Sequence, residues 1–324
     1  MRAIVCSELG PPETLRVDER DPLTAGSGEI VVDVRAAGVN YVDALFVAGR
    51  YQIKPPLPFV PGGEIAGVVR AVGAGVDGIR IGDRVVAMCG LGGFAEQVAV
   101  SPLQAVPIPD DLDFPRAAAF TQSYCTALFA LRKRARLRTG ETVLVLGAGG
   151  GVGLATIDVA RALGARVIGA ASSDAKRAAA RAAGAEAVID PTTDDLKTRV
   201  REFAGGSGID VVVDPVGGAL TEPALRSLGY LGRYLVIGFA AGTIPTLPLN
   251  QVLLRNRAVL GVDWGAWTMH DPAGQRALLT ELLQMVAAGR LAPAAPTVYP
   301  FERVADALND LLERRVTGKI VLLP

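Results

Sequence analysis

The chain holds a single histidine, three cysteines and two tryptophans in 324 residues, and its 33 basic and 33 acidic side chains cancel. Each shortage excludes something. One imidazole, His270, followed by "DPAG", reads as a loop or helix-start residue, and it cannot share in a site that needs histidine pairs. Cys6, Cys89 and Cys125 are scattered without motif spacing and cannot all pair with one another, which predicts free thiols in a reducing, cytoplasmic setting. Cys125 has no histidine near it in sequence, so nucleophilic thiol catalysis is not expected. The balanced charge offers no general attraction to nucleic acid or anionic membrane. No run approaches the roughly 18 uncharged apolar residues needed to span a bilayer. The opening "MRAIVCSELGPPETL" reads as a strand and a polar turn, without the basic and apolar regions of a signal peptide.

What the chain does have is hydrophobic residues, half of the total, over a length that favours two domains. From Glu141 onward, strands and helices alternate. "ETVLVLG" is a buried strand, and "GVGLATIDVARALG" a helix with Val152, Ala155, Val159 and Leu163 on one face and Asp158 and Arg161 away from it. "ARVIGA", "EAVID", "IDVVVD", "RYLVIG" and "AVLGV" supply five more strands, with helices between most of them. This is the pattern of a doubly wound, mostly parallel α/β sheet of the Rossmann type.

The first 120 or so residues differ: short β-rich runs such as "EIVVDVRAAGV", "IAGVVRAVG", "DRVVAM" and "AEQVAV" lie between Gly, Pro and Asp turns, as in a barrel-like or sandwich domain. After the sixth parallel strand come the helix "AGQRALLTELLQMVAAG", a proline-broken loop, a helix from Glu302 to Arg315 and the strand "KIVLL". A six-stranded sheet has no place for that last strand, so the tail is expected to return to the first domain. The predicted domains are residues 1–121 with 265–324, and residues 122–264 inserted between them.

The glycine cluster after "VLVL" decides the chemistry. Gly149, Gly150 and Gly151, then Val152 and Gly153, allow a tight turn and close approach of backbone N–H groups to an anion, with the positive end of the following helix aimed at it. The motif reads either as Gly147, Gly150, Gly153, or in the commoner register with Ala148 where a glycine is usual. A dinucleotide diphosphate fits there. At the end of the second strand, Ala171 and Ser172 stand where an NAD-type acid would grip the ribose hydroxyls, and Ser173, Lys176 and Arg177 suit a 2′-phosphate. NADPH is therefore expected before NADH. Asp174 is either a displaced ribose acid or a helix-start carboxylate. The loops carrying Gly238 with Phe239, and Trp264 with Gly265, follow the fifth and sixth strands, at the end of the sheet where ligands bind; Trp264 and Trp267 could instead be ordinary interface residues.

"AAGVNYVDALFVAGRY", "PFVPGGEIAGVV", "GDRVVAM", the mid-chain glycine loop and "GFAAGTIPTLPLN" followed by "GVDWG" together resemble, over nearly the whole chain, the zinc-independent quinone oxidoreductases of the medium-chain dehydrogenase/reductase superfamily, the zeta-crystallin-like branch. The resemblance implies a GroES-like catalytic domain beside the Rossmann domain, the nicotinamide in the cleft between them, and a homodimer. Zinc-dependent relatives carry a cysteine and a histidine where this chain reads Ala37-Gly38 and Gly63-Glu64, so no zinc is expected, and no flavin. The resemblance also places Asn40 and Tyr41 at the nicotinamide and substrate; Tyr51, close by in sequence, suits either a proton or hydrogen-bond donor or a loop tyrosine that packs its ring, and Asp43 orients the loop. Thr126 is placed on the carboxamide and Tyr124 at the substrate space, although both residues also suit a plain helix start. Lys176 matches the family's phosphate lysine, with Arg315 or Lys319 reaching the same phosphate from the tail, while Pro191 replaces a tyrosine found there in some relatives. The activity implied is reduction of a quinone; reduction of an enal, enone or enoyl thioester is the enzymatic alternative, and a non-catalytic NADPH-binding protein the alternative of another class.

Overall fold

The structure, a computed structural model, describes residues 1–206 and 208–324, and the chain forms two compact units. The first comprises residues 1–122, 271–287 and 294–324, the second residues 123–270 and 288–293.

The second unit is built on a six-stranded sheet, parallel throughout, in the order Ala187–Ile189, Arg166–Ala170, Thr142–Leu146, Ile209–Asp214, Leu228–Val236, Ala258–Gly261. All five residues of Thr142–Leu146 are buried, as a central parallel strand covered on both faces requires, which is why it reads as an unbroken apolar run. The strand order reverses between Thr142–Leu146 and Ile209–Asp214, and this switch point fixes where a ligand can enter the sheet edge. The fifth strand starts at Leu228 rather than at Arg233: its register shifts between Ile209 and Val211, and Leu231 has φ 59°, so no alternation marks its first half. Trp264 and Gly265 begin a helix, Trp264–His270, where a loop was expected. Asp263 accepts from the Ala266 amide at 2.9 Å and starts that helix, while Trp267 stacks on Phe129 with ring centroids 4.8 Å apart. His270 is the helix's last residue and is exposed.

The glycine-loop helix, Gly151–Ala162, is buried from Gly153 to Ala160, so Asp158 does not face solvent as the amphipathic reading has it. Its carboxylate accepts from the Tyr124 hydroxyl at 3.0 Å, from Arg161 at 2.8 Å and from the Ala292 amide at 2.8 Å. Burial and the adjacent Asp158 charge raise the Tyr124 pKa well above that of an ordinary phenol.

The first unit holds a seven-stranded sheet. Its tail strand Ile320–Leu323 runs parallel to Thr297–Pro300 and antiparallel to Ile30–Val39. Ile30–Val39 in turn pairs with Glu64–Val72 and Gln97–Val100, and Arg84–Met88 and Ala105–Pro107 complete the sheet. Phe94, Ile4, Ile30, Ile65, Phe301 and Ile320 fill its core. Helix Pro272–Ala287 belongs to this unit, and Arg276 donates to the Pro102 and Ala105 carbonyls at 2.6 and 2.9 Å.

Asp158→Ala leaves the Tyr124 hydroxyl and the Ala292 amide without their acceptor. A loss of about 3 kcal/mol in unfolding free energy is expected by urea titration, against less than about 1 kcal/mol for Arg161→Ala, whose ion pair lies partly in solvent.

Candidate functional site

In the second unit, three loops meet at the carboxyl ends of the central strands. Gly147 turns the chain at φ 60°, and a Cβ on it would press on Val216 at 2.9 Å, so the loops leaving the two switch-point strands touch at this residue. A Cβ at Gly153 would collide with the Gly147 carbonyl oxygen; at Gly149 it would collide with the stem of Lys176. At Gly150 only the Gly147 carbonyl lies within 4 Å, so this face of the loop is open to a ligand. Gly150 is the helix N-cap and provides no side-chain cap, so the N–H groups of the first turn, at Gly151, Val152 and Gly153, have no intrahelical acceptor. Buried Asp214 shapes the second loop. One of its oxygens accepts from the Val216 and Gly217 amides at 2.8 Å each, and the other from the Tyr234 and Thr221 hydroxyls. The third loop is stitched to the second by Ala240 N–H on the Pro215 carbonyl at 3.2 Å and Ala241 N–H on that of Val216 at 2.8 Å, which brings Gly238 and Phe239 to the same edge. Open amides on a fixed turn at a helix N-terminus make an anion site suited to a diphosphate.

At the end of the second strand, Ser172 and Ser173 are exposed, and Ser173 caps helix Asp174–Ala182 by accepting from the Lys176 amide. Thr126 and Cys125 are buried in helix Thr121–Leu128.

The first unit contains a buried ionic cluster. Glu64, 1% exposed, accepts on Oε1 from Lys319 Nζ at 2.7 Å and from Asn40 Nδ2 at 2.9 Å, and on Oε2 from the Gln122 amide at 2.7 Å. Lys319 also donates to Asn40 Oδ1 and to the Val39 carbonyl. Asp43 accepts from the Asn40 amide at 2.7 Å, and burial pushes its carboxyl up to about 7, partly offset by the Asn40 amide and the Lys319 charge and reinforced by Glu64. Burial likewise pushes the Cys89 thiol up to about 12, and it donates to the Gly62 carbonyl.

The residues here do not fit a zinc ion. A Cβ at Gly38 would collide with the Ala118 carbonyl and the Glu64 carboxylate, Glu64 already accepts from Lys319, Asn40 and the Gln122 amide, and Cys89 is held as the thiol. Among the described residues, no three His, Cys, Asp or Glu side chains form a group able to hold a metal.

The expected site residues thus divide. Gly149 to Gly153, Ser172, Ser173, Lys176, Gly238 and Phe239 lie at one edge of the parallel sheet. Asn40 caps helix Tyr41–Val47 in the first unit, and the Tyr51 ring packs on Phe46 with centroids 4.7 Å apart. Three residues need correction. Lys319 is not a surface phosphate ligand: its ammonium neutralises Glu64 inside the first unit. Arg315 is drawn to Asp310 and Glu313. Tyr124 spends its hydroxyl on Asp158. Sequence reasoning missed Glu64 and Asp214 as organisers; the only signal was an acidic residue at one terminus of an apolar strand, the first residue of Glu64–Val72 and the last of Ile209–Asp214.

Because Asp43 ionises near 4 in an unfolded chain and near 7 in the folded one, folding takes up a proton between those values, and stability from this group falls as pH rises through about 7. Asp43→Asn is expected to flatten that fall, shifting the difference in unfolding free energy between variant and parent by about 4 kcal/mol in the variant's favour from pH 4 to pH 8. Parallel denaturation curves across the series would refute it.

Comparisons with known proteins agree with this architecture. Residues 26–110 match the alcohol dehydrogenase GroES-like domain model, and residues 151–285 the zinc-binding dehydrogenase model, despite the missing zinc ligands. Quinone oxidoreductase-like protein 2 of Rattus norvegicus is 40% identical over 99% of this chain and 91% of its own length. The Escherichia coli quinone oxidoreductase complexed with NADPH superposes with a TM-score of 0.91 at 30% identity, over 100% of both chains. A solved NAD-dependent alcohol dehydrogenase superposes with a TM-score of 0.92 at 32% identity, also over 100% of both. With a parallel sheet that carries an open glycine loop, a GroES-like unit, and relatives of this closeness along its whole length, the chain is an enzyme of the quinone oxidoreductase family in the medium-chain dehydrogenase/reductase superfamily.

Proposed function

We propose that the protein passes reducing equivalents from NADPH to a quinone without help from a metal. The observation that carries this reading is the glycine loop at the switch point, open at Gly150 and flanked at Gly149 by the stem of Lys176. The Escherichia coli relative was solved with NADPH, which supports that nucleotide here. Bound NADPH supplies the reducing equivalents through its dihydronicotinamide ring. The amides at Gly151 to Gly153 hold the diphosphate, and Lys176 with Ser172 and Ser173 receives the adenosine end. Asn40 presents the acceptor with a donor of fixed orientation: Lys319 holds its Oδ1, Glu64 takes one Nδ2 hydrogen, and the second is left to meet an oxygen on which negative charge develops. Tyr41 follows Asn40 at the start of helix Tyr41–Val47, and Tyr51 packs on Phe46 of the same helix. A quinone is electrophilic enough to need no Lewis acid, which suits a site whose one fixed cation is an ammonium.

An α,β-unsaturated carbonyl meets the same requirement, so both acceptor classes belong in the test. NADPH oxidation followed by absorbance with 1,4-benzoquinone, 9,10-phenanthrenequinone and acrolein is expected to be fastest with a quinone and to survive exhaustive chelation. Turnover with acrolein alone would move the assignment to unsaturated carbonyls, and loss of activity on chelation would overturn the metal-free reading. Asn40→Ala is expected to lower kcat/KM for the quinone by about 100-fold while NADPH binding stays within about threefold.

The assembly that goes with this reading is a cytoplasmic homodimer joined through the cofactor-binding units. Edge strand Ala258–Gly261 leaves Val259 exposed, and Tyr230, Leu231, Leu253 and Leu254 of the same unit are exposed as well, a supply of apolar surface unusual for a monomer. Sedimentation equilibrium is expected to give twice the chain mass, and Val259→Lys to give the monomer.

A further inference from the structure

We propose that Asp190 and Asp174 set the nucleotide selectivity of this site by holding the Arg177 guanidinium, so that the protein takes NADH nearly as well as NADPH. The inference rests on the dinucleotide reading above and concerns which dinucleotide.

Arg177 stands one turn into helix Asp174–Ala182, where a 2′-phosphate ligand belongs. Its guanidinium is turned inward. Nη1 donates to the Ala171 carbonyl at 2.9 Å and to Asp190 Oδ2 at 2.6 Å, and Nη2 donates to Asp174 Oδ1 at 2.5 Å. Asp190 follows strand Ala187–Ile189, whose last residue lies in register with Ala170, so its carboxylate is brought beside the end of the second strand by the sheet itself. It is also fixed there: Oδ1 accepts from the Thr192 amide at 3.0 Å and the Thr192 hydroxyl at 2.6 Å. The side chains of Arg177 and Asp190 are only 16% and 18% exposed, so their attraction is less screened than that of a surface pair.

The charges then decide the outcome. One guanidinium shared by two carboxylates sums to −1, and this trio borders Ser172 and Ser173, where a 2′-phosphate dianion would sit. Lys176, against Gly149, is the other cation of that helix's first turn and brings the sum there only to zero. A ribose with a free 2′-hydroxyl meets no such penalty. The Asp174 side chain is 100% exposed, so its second oxygen can accept from that hydroxyl. Selectivity therefore depends on how firmly Asp190 holds Arg177.

Dissociation constants for NADPH and NADH, measured by nicotinamide fluorescence, and for 2′,5′-ADP and 5′-AMP by calorimetry, test this without turnover. The unaltered protein is expected to bind the two dinucleotides within about tenfold of each other. Asp190→Asn keeps the acceptor for Thr192 and removes one of the two carboxylate charges on Arg177, and it is expected to raise the NADPH-to-NADH affinity ratio about fivefold to tenfold, with the same change in the 2′,5′-ADP to 5′-AMP ratio. Asp174→Asn alters a fully exposed side chain and is expected to shift both ratios the same way. A parent preference for NADPH above about 100-fold would overturn the proposal, as would unchanged ratios in both variants with melting temperatures like the parent's. If the parent binds neither dinucleotide, the functional reading itself fails.

Discussion

The buried carboxylate of Glu64 is the constraint on which the first unit's arrangement depends. Removing an anion from water costs several kcal/mol, and that cost is offset only if every lone pair finds a partner. Here the partners come from distant parts of the chain: Lys319 next to the tail strand, Asn40 at the start of helix Tyr41–Val47, and the amide of Gln122. The tail is therefore held to the sheet by an ion pair as well as by its strand pairing with Ile30–Val39, and the orientation of Asn40 follows from the same pair. Gly38 completes the arrangement, since any side chain there would occupy the space of Glu64.

Buried carboxylates do comparable work in the second unit. Asp214 sits at the end of its strand and turns the next loop by accepting two backbone amides; Asp158 ties helix Gly151–Ala162 to Tyr124 and to the segment at Ala292. In each case a side-chain oxygen replaces water for groups that the end of a strand or helix leaves unpaired. The glycine loop is the exception. Its amides have no side-chain cap, and it is held from outside by contact of Gly147 with Val216 and of Gly149 with Lys176.

The parallel strands were legible because burial on both faces demands apolar runs, and the glycine loop because only glycine permits those approaches. The return of "KIVLL" to the first sheet was legible because a completed six-stranded parallel sheet leaves that strand no place. Asp158 was misread because a helix packed on both sides has no solvent face, so a polar residue's place on the helical wheel says nothing about water. Lys319 was misread because a lysine beside a glycine near the end of a chain resembles a surface cation, and nothing local announces a glutamate 255 positions away in the chain. Buried ion pairs carry no periodicity: each partner is a single polar residue in an apolar stretch, and only the tertiary fold brings the two together. The same holds for Arg177, whose neighbours in sequence suggest a phosphate ligand, while Asp190, just after the next strand, holds its charge.

The ion pair of Lys319 with Glu64 limits what the proposed metal-free chemistry can include. A zinc ion binds an acceptor oxygen directly and can polarise an unactivated carbonyl. The Lys319 ammonium cannot do this, because its donors are directed to Glu64, Asn40 and the Val39 carbonyl, and its charge is balanced by Glu64. What reaches an acceptor through this network is one neutral amide donor held rigidly by charged neighbours. Such a donor stabilises a developing oxyanion with little reorganisation, yet contributes little toward making a weak electrophile react. On the proposed reading, the acceptor must therefore bring its own electrophilicity, as quinones and conjugated carbonyls do and simple aldehydes and ketones do not.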